Sequence, residues 1–98
     1  MLTIGNIEIS RPVIAAPMAG VSDLPYRQIC RAWGAGLAVS EMVTSRPELR
    51  ETRRARLRMD HTGETSPISV QIVGTDPVLL AEAAIINAAR GADIIDIN

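Results

Sequence analysis

The residues able to do chemistry in this 98-residue chain are few, and they recur at matching places. Pro17-Met18-Ala19-Gly20 follows a short apolar run, Ser40-Glu41-Met42 closes a second, Gln71 interrupts a third, and Asp96 and Asn98 fall in a fourth. The carboxamides of Gln71 and Asn98 both donate and accept, which suits a heterocycle edge that alternates N–H and C=O groups. A strand amide can equally well do no more than bond a neighbouring loop. Pro17 fixes a turn, Ala19 is small enough to admit a ligand closely, and the flexible thioether of Met18 can pack on a flat ring. The same residues could simply end a strand and plug a core. Glu41 and Asp96 are carboxylates in apolar surroundings, where pairing for structural reasons is the usual reading, so neither is assigned a catalytic role.

Other reactive side chains carry less. Cys30 falls at helical spacing with Tyr26, Ile29 and Trp33 and reads as a small hydrophobe on an apolar face. His61 stands alone in a polar turn, and no cluster of metal-type ligands is visible. From Arg46 to Arg58 six arginines face only Glu48 and Glu51. Arginine holds phosphates bidentately and stacks on bases, so this stretch could touch RNA. The commoner reading of such a run is a solvated outer helix with local ion pairs, and no aromatic residues interleave here.

The elements that must position these residues can be read from periodicity. Leu2 to Ile9 alternates around Gly5-Asn6, a pair suited to a two-residue hairpin because both tolerate positive φ. Val13–Ala16 is a continuous apolar run of the kind buried on both faces of a parallel sheet. Ser22 as N-cap, Pro25 in the first turn and Gly34 as stop delimit a first helix. Leu37–Met42 reads as a second strand, followed by a helix within the arginine-rich stretch. Beyond the turn-like Asp60–Thr65, Pro67–Val73 is a β-branched third strand. Asp76 as N-cap, Pro77 at the first helical position and Gly91 as stop frame another helix, and Asp93–Ile97 is a fourth strand.

A hairpin followed by β-α-β-α-β-α-β argues for an α/β fold with parallel strands and right-handed crossovers. Residues 1–98 show no internal boundary, repeat or linker. Either a doubly wound sheet or part of a barrel satisfies this order. Gly20 stands without the spaced glycines of a dinucleotide fingerprint, which favours the barrel. In such folds ligands sit beyond the carboxyl ends of the strands, where the polar residues above gather.

Composition sets the class. With 47% hydrophobic and 21% charged residues the chain should fold around a core. A net charge of −1 provides no global basic field, although all ten cationic residues are arginine. One cysteine, and a start without the features of a signal peptide, lead to the expectation of a reducing, cytoplasmic setting. No apolar run reaches the ~20 residues of a membrane span.

The ordered set Ala15-Ala-Pro-Met-Ala-Gly20, Ser22-Asp23, Gly34-Ala-Gly36, Ser40-Glu-Met42, Val70-Gln-Ile72 and Asp96-Ile-Asn98 resembles the opening of tRNA-dihydrouridine synthases, most closely the bacterial B-type branch. The resemblance implies a TIM (β/α)8 barrel, of which the entry hairpin and about four βα units are present. It implies FMN as cofactor, with Pro17, Met18, Ala19 and Gln71 at the flavin and Asn98 near flavin and uracil. It implies NADPH or NADH as reductant and tRNA as substrate, a uridine being reduced across C5–C6. The family's general-acid cysteine is expected just after the Asp-Ile-Asn strand, beyond Asn98, so no residue here is assigned as catalytic. The 98 residues alone are expected neither to reduce uridine nor to hold FMN tightly. Two other readings stay open: an FMN barrel oxidoreductase acting on a small molecule, and an inactive scaffold or interaction module.

Overall fold

The computed structural model describes residues 2–98, and its elements follow from the patterns above. An antiparallel hairpin of β1 (Leu2–Ile4) and β2 (Ile7–Ile9) opens the chain, with Leu2 opposite Ile9 and Ile4 opposite Ile7. Of the two turn residues only Gly5 takes a positive φ, of 59°, so the turn needs one left-handed residue and not the two expected.

Parallel strands and helices then alternate. β3 (Ile14–Ala15) pairs with β4 (Leu37–Ala38), β5 (Val43–Thr44) with β6 (Ser69–Val73), and β6 with β7 (Ile94–Ile97). The single strand expected over Leu37–Met42 is interrupted. Only β4 falls within the expected range; β5 follows at Val43–Thr44, past its expected end, and a bridge from Val39 to Ser69 carries the β4 segment onto β6, so that β4 and β5 serve as two halves of one strand. The interruption falls at Ser40-Glu41-Met42, where the Ser40 N–H donates to the carbonyl of Ser69 at 3.1 Å and the Glu41 N–H turns to the carbonyl of Ser22 at 3.4 Å. Neighbours in the sheet are thus neighbours in the chain, in the order β3, β4/β5, β6, β7. A doubly wound sheet reverses direction at a switch point; this arrangement does not, which is consistent with part of a barrel.

Three helices cover the outer side. α1 (Leu24–Ala32) is capped by Asp23, whose Oδ1 accepts from the Tyr26 N–H at 3.0 Å. The expected cap, Ser22, is wholly buried and bonds backwards into the preceding turn instead. The arginine-rich stretch forms a 3-10 turn (Pro47–Leu49) and then α2 (Arg53–Met59), which Thr52 caps by accepting from the Ala55 N–H. α3 (Pro77–Ala89) starts as expected, the Asp76 carboxylate accepting from Val78 N–H at 2.8 Å, and ends before Gly91 at φ 114°.

Strand alternation sorts the residues between two layers. Val43, Val70, Ile72, Met59, Ile68 and Ala83 form the helix-facing core, with Leu80 and Ile95 against it. Fully burying a side chain such as Ile72 contributes about 1.5–3 kcal/mol. The opposite face carries Leu37 and Val39, which cluster with Ile9 of the hairpin and with Ile94. Further along that face stand Gln71, Asp96 and Asn98, two and four residues on from Ser69 and Ile94.

α1 departs from expectation. Its buried residue is Arg27, while Ile29 and Trp33 are 59% and 88% exposed. Cys30 is part-exposed on this helix. Its thiol lies beside Tyr26 and raises the phenol's pKa, chiefly through a side-chain hydrogen bond.

Candidate functional site

The turn after β3 is built from backbone hydrogen bonds. Val21 and Ser22 N–H groups donate to the carbonyl of Met18 at 3.0 and 2.9 Å, and the Met18 N–H donates to Ser22 Oγ at 2.8 Å. Ser22 Oγ in turn donates to the carbonyl of Ala16 at 3.1 Å. The Gly20 N–H reaches across to Glu41 Oε1 at 3.0 Å. Among the described residues the Ala19 N–H alone, of positions 18 to 22, has no hydrogen-bond partner. Met18 is 42% exposed, and Ala19 and Gly20 are exposed with it.

The remaining candidates meet on the inner strand face. Gln71 is buried and opposite Asp96 in the β6–β7 register. Its Nε2 donates to Asp96 Oδ2 at 2.7 Å, and its Oε1 accepts from Asn98 Nδ2 at 3.4 Å. The backbone N–H of Gln71 donates to Ser40 Oγ at 3.0 Å, and that hydroxyl donates to the carbonyl of Glu41. A recess of about 340 Å³ on this face is lined by Pro17, Val39, Ser69 and Asp96, among others, so one residue of the turn and one of the polar row border the same space. Of the five residues singled out from the sequence, Pro17, Met18, Ala19 and Asn98 follow the carboxyl ends of their strands, and Gln71 stands at the middle of β6, bonded to Asn98. Pro17, Met18 and Ala19 form the turn, while Gln71 and Asn98 form a directly hydrogen-bonded carboxamide pair, with Asp96 accepting from the other side of the Gln71 amide.

A flavin fits this donor set in part. The carboxamides and the free Ala19 N–H offer donors and acceptors to a pyrimidine edge, and the exposed Met18 offers an apolar surface. None of the ten arginines lies on a strand of the sheet.

Sequence reasoning missed Arg27 and gave Ser22 another role. Ser22, Ser40, Glu41 and Arg27 are buried polar groups within or beside apolar runs. Arg27 grips Glu64 through two hydrogen bonds of 3.0 and 2.9 Å, with both side chains 2% exposed. It also donates to the carbonyls of Ser22 and Asp60. The signal was a polar residue at a buried helical position, but an arginine in a helix reads as solvent-facing unless its partner is known.

Glu41 bonds Arg58 at 3.2 Å, in line with the expectation that a buried carboxylate has an arginine partner, whereas Asp96 is met by an amide. Arg46 pairs with Glu48 on the surface, and Arg53 and Arg54 line a groove with Gly20, Asp23 and Glu41. His61 is part-buried in its turn. Among the described residues no group of three His, Cys, Asp or Glu is placed to hold a metal ion, and no helix is long and apolar enough to cross a membrane.

Comparison with known proteins agrees with this picture. The family model described as dihydrouridine synthase (Dus) matches residues 13–98. The chain is 57% identical over 97 residues to tRNA-dihydrouridine synthase B of Xanthomonas axonopodis pv. citri, covering 99% of this chain and 29% of that protein. It is 55% identical over 98 residues to tRNA-dihydrouridine synthase B of Pseudomonas aeruginosa, covering 100% of this chain and 30% of that protein. The same-named protein of Vibrio vulnificus is 50% identical over 97 residues. The chain thus spans about 30% of the length of these curated relatives.

Proposed function

The chain belongs to the dihydrouridine synthase family, and from that premise we propose that the protein carrying it reduces specific uridines of tRNA to 5,6-dihydrouridine, with these residues as the first wall of an eight-stranded FMN barrel. When bound, FMN supplies hydride to C6 of the uracil after reduction by NADPH or NADH. The protein residues do the holding. Pro17, Met18 and Ala19 give the flavin a turn to lie against, with the Ala19 N–H as donor. Gln71 and Asn98 read a pyrimidine edge with their carboxamides, and Asp96 fixes which way the Gln71 amide faces by accepting from its Nε2. A uridine must leave its stack to reach this face.

The observation that carries this reading is the hydrogen-bonded row Asn98–Gln71–Asp96 on the inner strand face, whose Asp96 borders the same recess as Pro17. None of the five binding residues is an acid able to protonate C5, and Cys30 sits on the outer helix α1. Their part is binding and orientation. The setting that follows for a tRNA-modifying protein is the cytoplasm.

The test is to express the natural protein in a strain lacking its own dihydrouridine synthases and to analyse the tRNA nucleosides by mass spectrometry. Dihydrouridine restored at defined positions, in a purified yellow protein that releases FMN, is the expected result. A flavoprotein that leaves tRNA unchanged yet turns over a small enone or dihydropyrimidine would overturn it in favour of a small-molecule oxidoreductase.

A further inference from the structure

The turn that carries Met18 and Ala19 is exposed, so packing does little to fix it. Gly20, at φ 77°, stands in open space: a Cβ added there would meet nothing within 4 Å. Within the turn, Ser22 and the Met18 carbonyl satisfy their neighbours locally. The tie to another part of the sheet comes from Glu41, 21 residues on in the chain. Its side chain is 9% exposed, and Oε1 takes both the Gly20 N–H at 3.0 Å and Arg58 Nε at 3.2 Å. Arg58 also donates to the carbonyl of Met42 at 3.4 Å, which anchors it to the backbone beside Glu41. The Glu41 N–H completes the bracket by donating to the Ser22 carbonyl. A buried carboxylate and an arginine are thus committed to one peptide of an otherwise unpacked turn.

We infer that Glu41, backed by Arg58, is a positioning residue for the cofactor: it holds the Gly20 peptide so that the adjacent Ala19 N–H stays free for the flavin. This rests on the reading that the turn lies against FMN. Loss of a buried acceptor frees the Gly20 N–H and lets the turn relax, which weakens and reorients the flavin without removing any group that touches it. Glutamine at this position keeps an acceptor for Gly20; alanine and methionine do not.

The test uses the natural full-length protein, stripped of FMN and titrated with FMN by fluorescence, with the visible absorption spectrum of the bound flavin recorded alongside. Glu41→Ala and the bulkier Glu41→Met are expected to raise the dissociation constant about 10-fold or more and to shift the bound-flavin bands. Glu41→Gln should stay within about threefold and keep the original spectrum. An unchanged affinity and spectrum in Glu41→Met, or a loss in Glu41→Gln equal to that in Glu41→Met, would overturn the inference. Should the alanine and methionine variants not fold, Arg58→Met decides: about threefold weaker FMN supports it and unchanged binding overturns it. Failure of the unsubstituted protein to bind FMN would instead sink the proposed function, a separate and recognisable outcome.

Discussion

Gln71 and Asp96 stand side by side on adjacent parallel strands, and the amide of one donates to the carboxylate of the other at 2.7 Å. The contact explains how a buried glutamine is tolerated in an otherwise apolar strand and leaves its orientation fixed. Gln71→Leu strands Asp96 without this donor on the inner face. We expect the substitution to destabilise the protein by about 1–3 kcal/mol in urea titrations and to weaken FMN binding as well. Wild-type stability together with wild-type flavin affinity would show that the pair is incidental.

The Arg27–Glu64 pair gives a larger effect. Both side chains are 2% exposed, so removing Glu64 leaves a buried guanidinium without its carboxylate. Glu64→Ala should cost about 3–5 kcal/mol, read as a lowered urea midpoint at unchanged slope. A change below about 1 kcal/mol would be the mark of a solvated pair.

Two glycines should respond differently to alanine. At Gly36 an added Cβ would collide with the Arg11 backbone carbonyl and approach Cγ2 of the fully buried Ile9 to 2.7 Å. At Gly20 the space is open and only the left-handed φ opposes the change, at about 1–2 kcal/mol. Thermal melts should rank Gly36→Ala as the more damaging of the two.

Asp60 links stability to acid. Its carboxylate accepts from Thr62 Oγ1 at 2.7 Å and from the Thr62 N–H at 3.0 Å, and these bonds, the hydroxyl's foremost, lower its pKa. A carboxyl whose folded pKa lies below its unfolded value of about 3.9 adds stability that is complete well above that value. The contribution is lost as pH falls through the lower folded pKa. Asp60→Asn should therefore flatten the fall in melting temperature between about pH 5 and pH 3 while leaving the slope above pH 6 unaltered.

Flavin affinity of the 98 residues alone is a further measure. Four parallel strands make about half of the usual eight, and β3 and β7 each have one side unpaired among the described residues. Titration of this chain with FMN should show no stoichiometric submicromolar binding; such binding would place the whole cofactor grip within these residues.

How much of this was legible in the sequence depended on whether the signal was local. Asp76-Pro77 and Gly91 announce α3 because capping and φ preferences act within a few residues. That Pro17 and Asn98 follow their strands, and that Gln71 lies within one, could be read because apolar runs and the residues that end them are local signals. What could not be read depends on partners distant in the chain. Ser22 looked like a helix cap until its hydroxyl was seen to serve Met18, and the neighbouring Asp23 caps α1 instead. Trp33 and Ile29 looked like an inward face, whereas Arg27 is the residue α1 buries, because Glu64 and two carbonyls await it. The break between β4 and β5 was equally hidden, since Glu41 leaves the ladder to meet Ser22 and Gly20, contacts that no window of neighbouring residues contains.

The strand order carries a consequence for how the chain is made. Because β4 lies against β3, β6 against both β4 and β5, and β7 against β6, each parallel strand after β3, with β4 and β5 counted as one, finds a partner already synthesised when it leaves the ribosome. No strand must wait for a later one to be inserted between it and its predecessor, as the centre of a doubly wound sheet must. Assembly can keep pace with translation, each completed βα unit offering its open edge as the template for the next.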